Sequence, residues 1–131
     1  MANKEVAEGE VVQLKYDSNG LLPAVVQEAA SGEILMVAYI NNDAWKETLS
    51  SGFATFWSRS RNELWKKGET SGNMMRIAEV LVDCDQDCVI FKVVKTEGGA
   101  CHTKNTSGNY RNSCFYRKVD TQSQKLLFIE K

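Results

Sequence analysis

Apolar and polar positions along this chain follow short-range patterns that predict strands more often than helices. LPAVVQEA (22–29) and ILMVAYI (34–40) are apolar-rich runs joined by Ala30-Ser31-Gly32-Glu33, which reads as a β-hairpin. VVQLKY (11–16) predicts an earlier strand ending at the turn Asp17-Ser18-Asn19-Gly20, and FATFWS (53–58) a later one. RIAEVLVD (76–83) alternates over its first half, and CVIFKVV (88–94) is a β-branched run, so both read as strands. CFYRKV (114–119) and KLLFIE (125–130) predict the last two. One short helix is expected through about Ser50. Asn41, Asn42 or Asp43 can cap it, because an Asx side chain accepts the unpaired first-turn amides, and Gly52 supplies its stop. Residues 1–10 are polar and acidic and are expected to be frayed. Arg59 to Asn73 is polar and Gly-containing and carries no strand pattern. With no internal repeat or Pro/Gly/Ser-rich linker, residues 1–131 read as one α+β domain of mainly antiparallel strands with one or two short helices. The pattern leaves the pairing order open.

Composition narrows the function classes. The chain has 131 residues, 43% hydrophobic and 25% charged, an ordinary globular balance. Lys+Arg 16 against Asp+Glu 17 gives a net charge of −1, without the basic excess on which non-specific nucleic-acid binding depends. No apolar run approaches the roughly 18 residues of a membrane span, and MANKEVAEGE lacks the apolar core of a signal peptide. The expectation is a soluble cytoplasmic protein with neither nucleic acid nor membrane as partner. In a reducing compartment, clustered cysteines more often bind metal or do chemistry than form disulfides. All four, Cys84, Cys88, Cys101 and Cys114, lie in the second half, and the single histidine, His102, follows Cys101.

Asp83, Asp85 and Asp87 alternate within Asp83-Cys84-Asp85-Gln86-Asp87. If the strand stays extended here, the three carboxylates share one face, and their mutual repulsion calls for a cation such as Mg²⁺. A solvated acidic turn is the equally weighted alternative. An EF-hand is excluded, because its sixth and twelfth positions are Cys88 and Val94 rather than Gly and Glu. The same alternation turns Cys84 to the opposite face, with Cys101 and Cys114 as its natural partners. Three thiolates and an open position make a catalytic zinc arrangement. Cys88 is a rival ligand by parity, although the β-branched run behind it favours a core thiol. His102 can ligate zinc or act as a general acid/base beside it.

Trp57, Ser58, Arg59, Ser60, Arg61, Trp65, Lys66, Lys67, Glu69 and Ser71 crowd phosphate-suited and stacking groups into fifteen residues. Arg and Lys recognise phosphate, and Ser hydroxyls with the amides of a Gly-containing loop can complete an anion site. Core packing is as good a reading for the two tryptophans as base stacking.

WSRSR, LWKKGETSG, DCDQD, ACHT and NSCF, in that order, together with LKYDSNGLLPAVVQEAASGEILMVAYIN, resemble the phosphoribosyl-AMP cyclohydrolase family of histidine biosynthesis. The resemblance covers roughly residues 14–117 and implies the stand-alone form, an intertwined homodimer with zinc and magnesium. It implies hydrolytic opening of the adenine ring of 1-(5-phosphoribosyl)-AMP, the small-molecule substrate, at N1–C6. Carried over by motif, Asp83, Asp85 and Asp87 would bind Mg²⁺. Cys101 and Cys114 would bind Zn²⁺ with Cys84 contributed by the partner subunit. His102 is then the candidate for proton transfer. Trp57, Ser58, Arg59, Ser60, Arg61, Trp65, Lys67 and Glu69 form the candidate substrate-binding set, with Arg59, Arg61 and Lys67 for phosphate and Glu69 for ribose or as a second base. The chain departs from the family at KNTSGNYRN (104–112), which reads as an insertion between the cysteine motifs. It is expected to bulge outward, because lengthening a surface loop costs little free energy. Two other classes compete. A small zinc-stabilised module binding a nucleotide or a protein is one. A zinc nucleobase deaminase is the other, but its H-x-E…P-C-x-x-C signature is absent.

Overall fold

The computed structural model describes residues 4–69, 72–95 and 98–131. Thr70 and Ser71, which belong to the LWKKGETSG motif, therefore lie outside the described residues. The elements in chain order are α1 (Lys4–Glu8), β1 (Leu22–Glu28), β2 (Ile34–Ile40), α2 (Asn42–Ser51), β3 (Thr55–Ser58) and β4 (Glu63–Lys66). They continue with β5 (Met75–Val82), β6 (Val89–Lys95), β7 (Arg117–Asp120) and β8 (Lys125–Phe128). The result is an α+β fold of mainly antiparallel strands with two helices among the described residues. Neither helix is long or apolar enough to cross a membrane.

The main sheet has the order β2-β1-β6-β5. The pairs β1–β2 and β5–β6 are antiparallel, while β1–β6 is parallel. Period-2 alternation sends Leu22, Ala24 and Val26 of β1, and Val89, Phe91 and Val93 of β6, into one buried cluster with Leu35, Ile40, Phe56 and Met75. Phe91 is the hinge of the aromatic packing. It lies 6.0 Å from Phe56 and 6.5 Å from Trp45 between ring centroids, and Phe56 lies 5.0 Å from Trp65. Truncating such a buried ring costs about 3–5 kcal/mol.

The helix α2 forms where its caps predicted. The Asn41 side chain accepts from the Ala44 amide at 2.8 Å, and Gly52 closes the helix at φ 80° with its N–H on the Thr48 carbonyl. Thr48 then ties the helix to β3: its hydroxyl accepts from the Thr55 amide (3.0 Å) and donates to the Thr55 carbonyl (3.1 Å).

Four local expectations are corrected. Residues 11–16 form no strand. They are held instead by Gln86, whose carbonyl accepts from the Lys15 amide (2.7 Å) and whose Oε1 accepts from the Gln13 amide (2.7 Å). Residues 4–8 are not frayed throughout but form α1, which the Gln86 side-chain amide reaches through the Val6 carbonyl (3.1 Å). The polar stretch after Arg59 contains β4, hidden because only four residues pair with β3. The penultimate strand starts at Arg117, not Cys114, because the Cys114 amide donates to the Leu35 carbonyl (2.7 Å) beside β2.

Candidate active site

The candidate aspartates and cysteines divide between the two ends of the β5–β6 hairpin. One end is the turn from Asp83 to Cys88. The chain is not extended here, so alternation is not what gathers the aspartates. Gln86 adopts φ 55°, and one Asp83 carboxylate oxygen accepts from the amides of Asp87 (3.0 Å) and Cys88 (3.2 Å). This tight turn brings one carboxylate oxygen each from Asp83, Asp85 and Asp87 within 4.8 Å of one another. The hydrogen bond with Asp83, reinforced by the charges of Asp83 and Asp85, raises the Asp87 pKa. Three oxygen donors at this spacing could hold a hard divalent cation. Gln86 is the residue that the sequence reading passed over: buried, it pins the amino-terminal segment across the turn. Cys84 is exposed here. Cys88, half-buried at the start of β6, has its pKa raised by burial first and then by Asp83 and Asp87. The parity that linked Cys84 to Cys88 disappears with the turn.

The other end gathers Cys101 and Cys114. Their thiols are close enough to shift each other's ionisation, with the Lys67 ammonium close by. Cys101 is buried. Burial opposes its ionisation, but hydrogen bonds from Thr103 and Cys114 and the charge of Lys67 outweigh it, and its pKa is lowered. Cys114 keeps solvent-facing surface. The packed surroundings of its thiol, and then the adjacent Cys101, push its pKa up to about 11. Burial lowers the pKa of Lys67, against the pull of both thiolates. Lys67 thus stands beside the thiol pair, a neighbourhood that its basic character alone did not reveal. His102 is exposed next to the buried Cys101.

The loop from Lys104 to Asn112 keeps its ends together. Ala100 and Cys101 donate to the carbonyls of Asn112 and Arg111 (both 3.0 Å), and Arg111 donates back to Thr103 (2.9 Å). Gly99 passes so close to the Tyr110 and Arg111 carbonyls that any Cβ there would overlap them. Residues 104–110 project beyond this closure, bridged between Lys104 and Tyr110. Asn112 caps the base, bonded to Lys95 and Glu33 side chains. Cys114 therefore reaches Cys101 across this loop.

The seven residues of β6, at about 3.3 Å each, set the two ends roughly 20 Å apart. Among the described residues, the aspartates are the only group of three or more His, Cys, Asp or Glu side chains close enough to share an ion. Within one chain Cys84 therefore does not join Cys101 and Cys114.

Beside β2 and β3 lies an open cleft of about 540 Å³, lined by Tyr39, Trp57, Arg59, Ser60 and Trp65 among others. The Arg59 guanidinium stacks 4.1 Å over the Tyr39 ring. Tyr39 was hidden in the sequence inside an apolar strand run. Ser58 sets the turn by accepting from the Arg61 amide (3.2 Å), and Arg61 pairs with Glu63 at 3.5 Å. Arg61, Lys67 and Glu69 line a second groove of about 340 Å³, reached across Trp65. Both tryptophans are half-buried: Trp65 packs on Phe56 and still lines both clefts, so core and cleft roles coexist in one ring.

A family model described as phosphoribosyl-AMP cyclohydrolase matches residues 36–116, from β2 to the residue before β7. The span contains every candidate site residue. The chain belongs to the phosphoribosyl-AMP cyclohydrolase family. Among its relatives, the phosphoribosyl-AMP cyclohydrolase of Rhodopseudomonas palustris (strain BisB18) is 48% identical over 120 residues, covering 92% of this chain and 78% of its own. That of Methanococcoides burtonii is 50% identical over 107 residues, 82% of this chain and 83% of its own. That of Archaeoglobus fulgidus is 50% identical over 109 residues, 83% and 94% respectively. The two clefts, the thiol pair and the aspartate turn all lie on segments that the phosphoribosyl-AMP cyclohydrolase family model spans.

Proposed function

We infer that this chain is a phosphoribosyl-AMP cyclohydrolase, a hydrolase of histidine biosynthesis that opens the adenine ring of 1-(5-phosphoribosyl)-AMP. The observation that carries the reading is the thiol pair Cys101–Cys114, held beside Lys67 within a chain about half identical to enzymes of that name. Ribosylation at N1 leaves the purine electron-poor. Water adds to C6, the N1–C6 bond breaks, and N1 takes a proton. C6 keeps its amino nitrogen and becomes a carboxamide, so no ammonia leaves.

Cys101 and Cys114 are the zinc ligands of one chain, and the lowered pKa of Cys101 suits a thiolate donor. When bound, zinc supplies the Lewis acidity that makes water nucleophilic at neutral pH. Cys84, about 20 Å away along β6, completes the set from a second copy of the chain. Asp83, Asp85 and Asp87 would hold magnesium, which would supply positive charge for a substrate phosphate. His102 moves the proton between the attacking water and N1. Arg59 and Arg61 take phosphate charge, while Trp57 and Trp65 frame the base. Ser58 and Ser60 order the turn that presents the arginines. Lys67 holds positive charge against the thiolates as well as facing the second groove. Glu69 lines the same groove and would bind the ribose or serve as a second base.

The assembly is a homodimer with shared zinc sites. Exposed apolar surface supports it: Leu81 and Val82 lie on edge strand β5 beside Cys84, and Leu126, Leu127, Phe128 and Ile129 are all exposed around β8. Contiguous exposed apolar surface marks interaction sites.

Incubation with 1-(5-phosphoribosyl)-AMP tests the activity by following absorbance and ammonia together. Ring opening without ammonia is expected. Ammonia release would make the protein a deaminase, and an unchanged substrate would leave only a binding module.

A further inference from the structure

The thiol end contains a relay that begins outside the cysteine motifs. The Thr103 hydroxyl lies 3.0 Å from the Cys101 Sγ, and the Thr103 amide also donates to that sulfur at 3.4 Å. On its other side, the same hydroxyl oxygen accepts from Arg111 Nη1 at 3.0 Å. Guanidinium has donors and no acceptor, so the hydroxyl oxygen must receive that bond. Its own proton stays available for the sulfur, and a Cys101 thiolate has no proton to give, so with the thiolate Thr103 is the donor and Cys101 the acceptor.

Arg111 is in turn held in place. Its Nε donates to the Glu130 carbonyl (2.9 Å), and its guanidinium lies 4.2 Å over the Tyr116 ring and 5.7 Å from the Phe128 ring centre. The Glu130 carboxylate accepts from the Asn112 amide and the Asn105 side-chain amide, both at 2.9 Å. Backbone bonds between Cys101, Thr103 and Arg111 keep the three residues in register. The 104–112 loop and the carboxy-terminal hairpin therefore converge on one hydroxyl beside one sulfur.

We propose that Thr103 is a positioning residue that orients and stabilises the Cys101 thiolate, and that Arg111 acts through Thr103 by fixing which way its hydroxyl points. The inference rests on Cys101 being a metal ligand, as argued above. A donor to a ligating sulfur holds its lone pairs in one orientation and tempers the charge it gives to the metal. Partners of this kind change metal affinity by about 10–100-fold when removed. The extra loop then does more than bulge from the surface, because it carries the residue that sets a ligand's hydrogen bond.

The test is a double-mutant cycle on the full-length protein. It is read by zinc affinity in chelator competition and by the thiolate-to-metal charge-transfer band of the cobalt(II)-loaded protein. Thr103→Val keeps the shape and removes the hydroxyl. It should weaken zinc binding about tenfold, the lower end of that range, and shift the cobalt band, while Thr103→Ser restores both. Arg111→Met should act in the same direction with Thr103 present and have no further effect on either readout in the Thr103→Val background. A merely structural Arg111 would lower the melting temperature but leave the band unmoved, or act equally in both backgrounds, and either result overturns the relay. If Thr103→Val folds poorly, Arg111→Met alone decides: a shifted band supports the relay and an unshifted one overturns it. A wild-type protein that binds neither zinc nor cobalt instead overturns the metal reading itself, and the relay with it.

Discussion

The two ends of the β5–β6 hairpin concentrate charge in opposite ways. At the acid end, three carboxylates meet within 4.8 Å on a solvent-facing turn. At the thiol end, a buried sulfur is met by a hydroxyl, an amide, a second thiol and a half-buried lysine. The acid end is a local product: its residues are five consecutive positions, and its own backbone amides fold it. The thiol end is assembled from three separated segments, at Lys67, Cys101 and Cys114, closed by the base of the inserted loop. A local turn can collect hard oxygen donors cheaply, because water solvates what the turn does not satisfy. A soft, partly dry site needs partners from elsewhere in the fold to offset desolvation.

The contrast predicts that losing a thiol and losing a carboxylate have separate effects on the two metals. The largest effect is expected from Cys101→Ala and Cys114→Ala, each losing zinc and activity while magnesium binding persists. Cys84→Ala should do the same, and Cys88→Ala should keep most of both. Metal content of the purified variants checks this, and normal zinc in Cys114→Ala would dissolve the thiol end as a site. Mixing Cys84→Ala with Cys101→Ala by co-refolding should restore activity, because a shared-site heterodimer contains one wholly wild-type site.

His102→Asn comes next. Zinc should stay bound while kcat falls by roughly 10²–10⁴-fold, as for a lost general acid/base group. Zinc loss together with the imidazole would add a fourth ligand to the thiol end and change the comparison itself.

Asp85→Asn should have the smallest effect, and one of opposite sign with and without metal. Without magnesium it relieves like-charge repulsion and raises the melting temperature slightly. With magnesium the variant should gain less stability than wild type, because ligand binding stabilises the folded form by mass action. Zinc content should not change. Melting curves in EDTA and in excess magnesium measure both signs, and an identical magnesium response in the two proteins would remove the aspartates from metal binding.

The sequence was most legible where local chemistry is sufficient. Asn41 and Gly52 bounded α2, the alternating and β-branched runs located β1, β2, β5 and β6, and the spacing of Asp83, Asp85 and Asp87 marked the acid cluster. Even there the reason was misread. Alternation on an extended strand and convergence on a tight turn put the same three residues together, and only the φ of Gln86 distinguishes them. The strand expected at 11–16 failed for a related cause: its apolar pattern was real, but three hydrogen bonds tie it to one glutamine instead of a strand partner.

What the sequence by itself determined was the inventory: which segments form most of the strands, which residues carry charge or thiol, and, through five ordered motifs, the family. The tertiary structure alone decided which of them meet. It placed Lys67 beside two cysteines, brought Arg111 onto Thr103, and separated Cys84 from Cys101 by the length of β6. Local pattern records the conformational preference of neighbouring residues, and the acid end needs little more. The thiol end depends on contacts between residues tens of positions apart, fixed by the parallel β1–β6 pairing and the closure of the 99–112 loop. Such contacts are set by packing and hydrogen-bond satisfaction across the whole chain, for which no short window of sequence holds the terms.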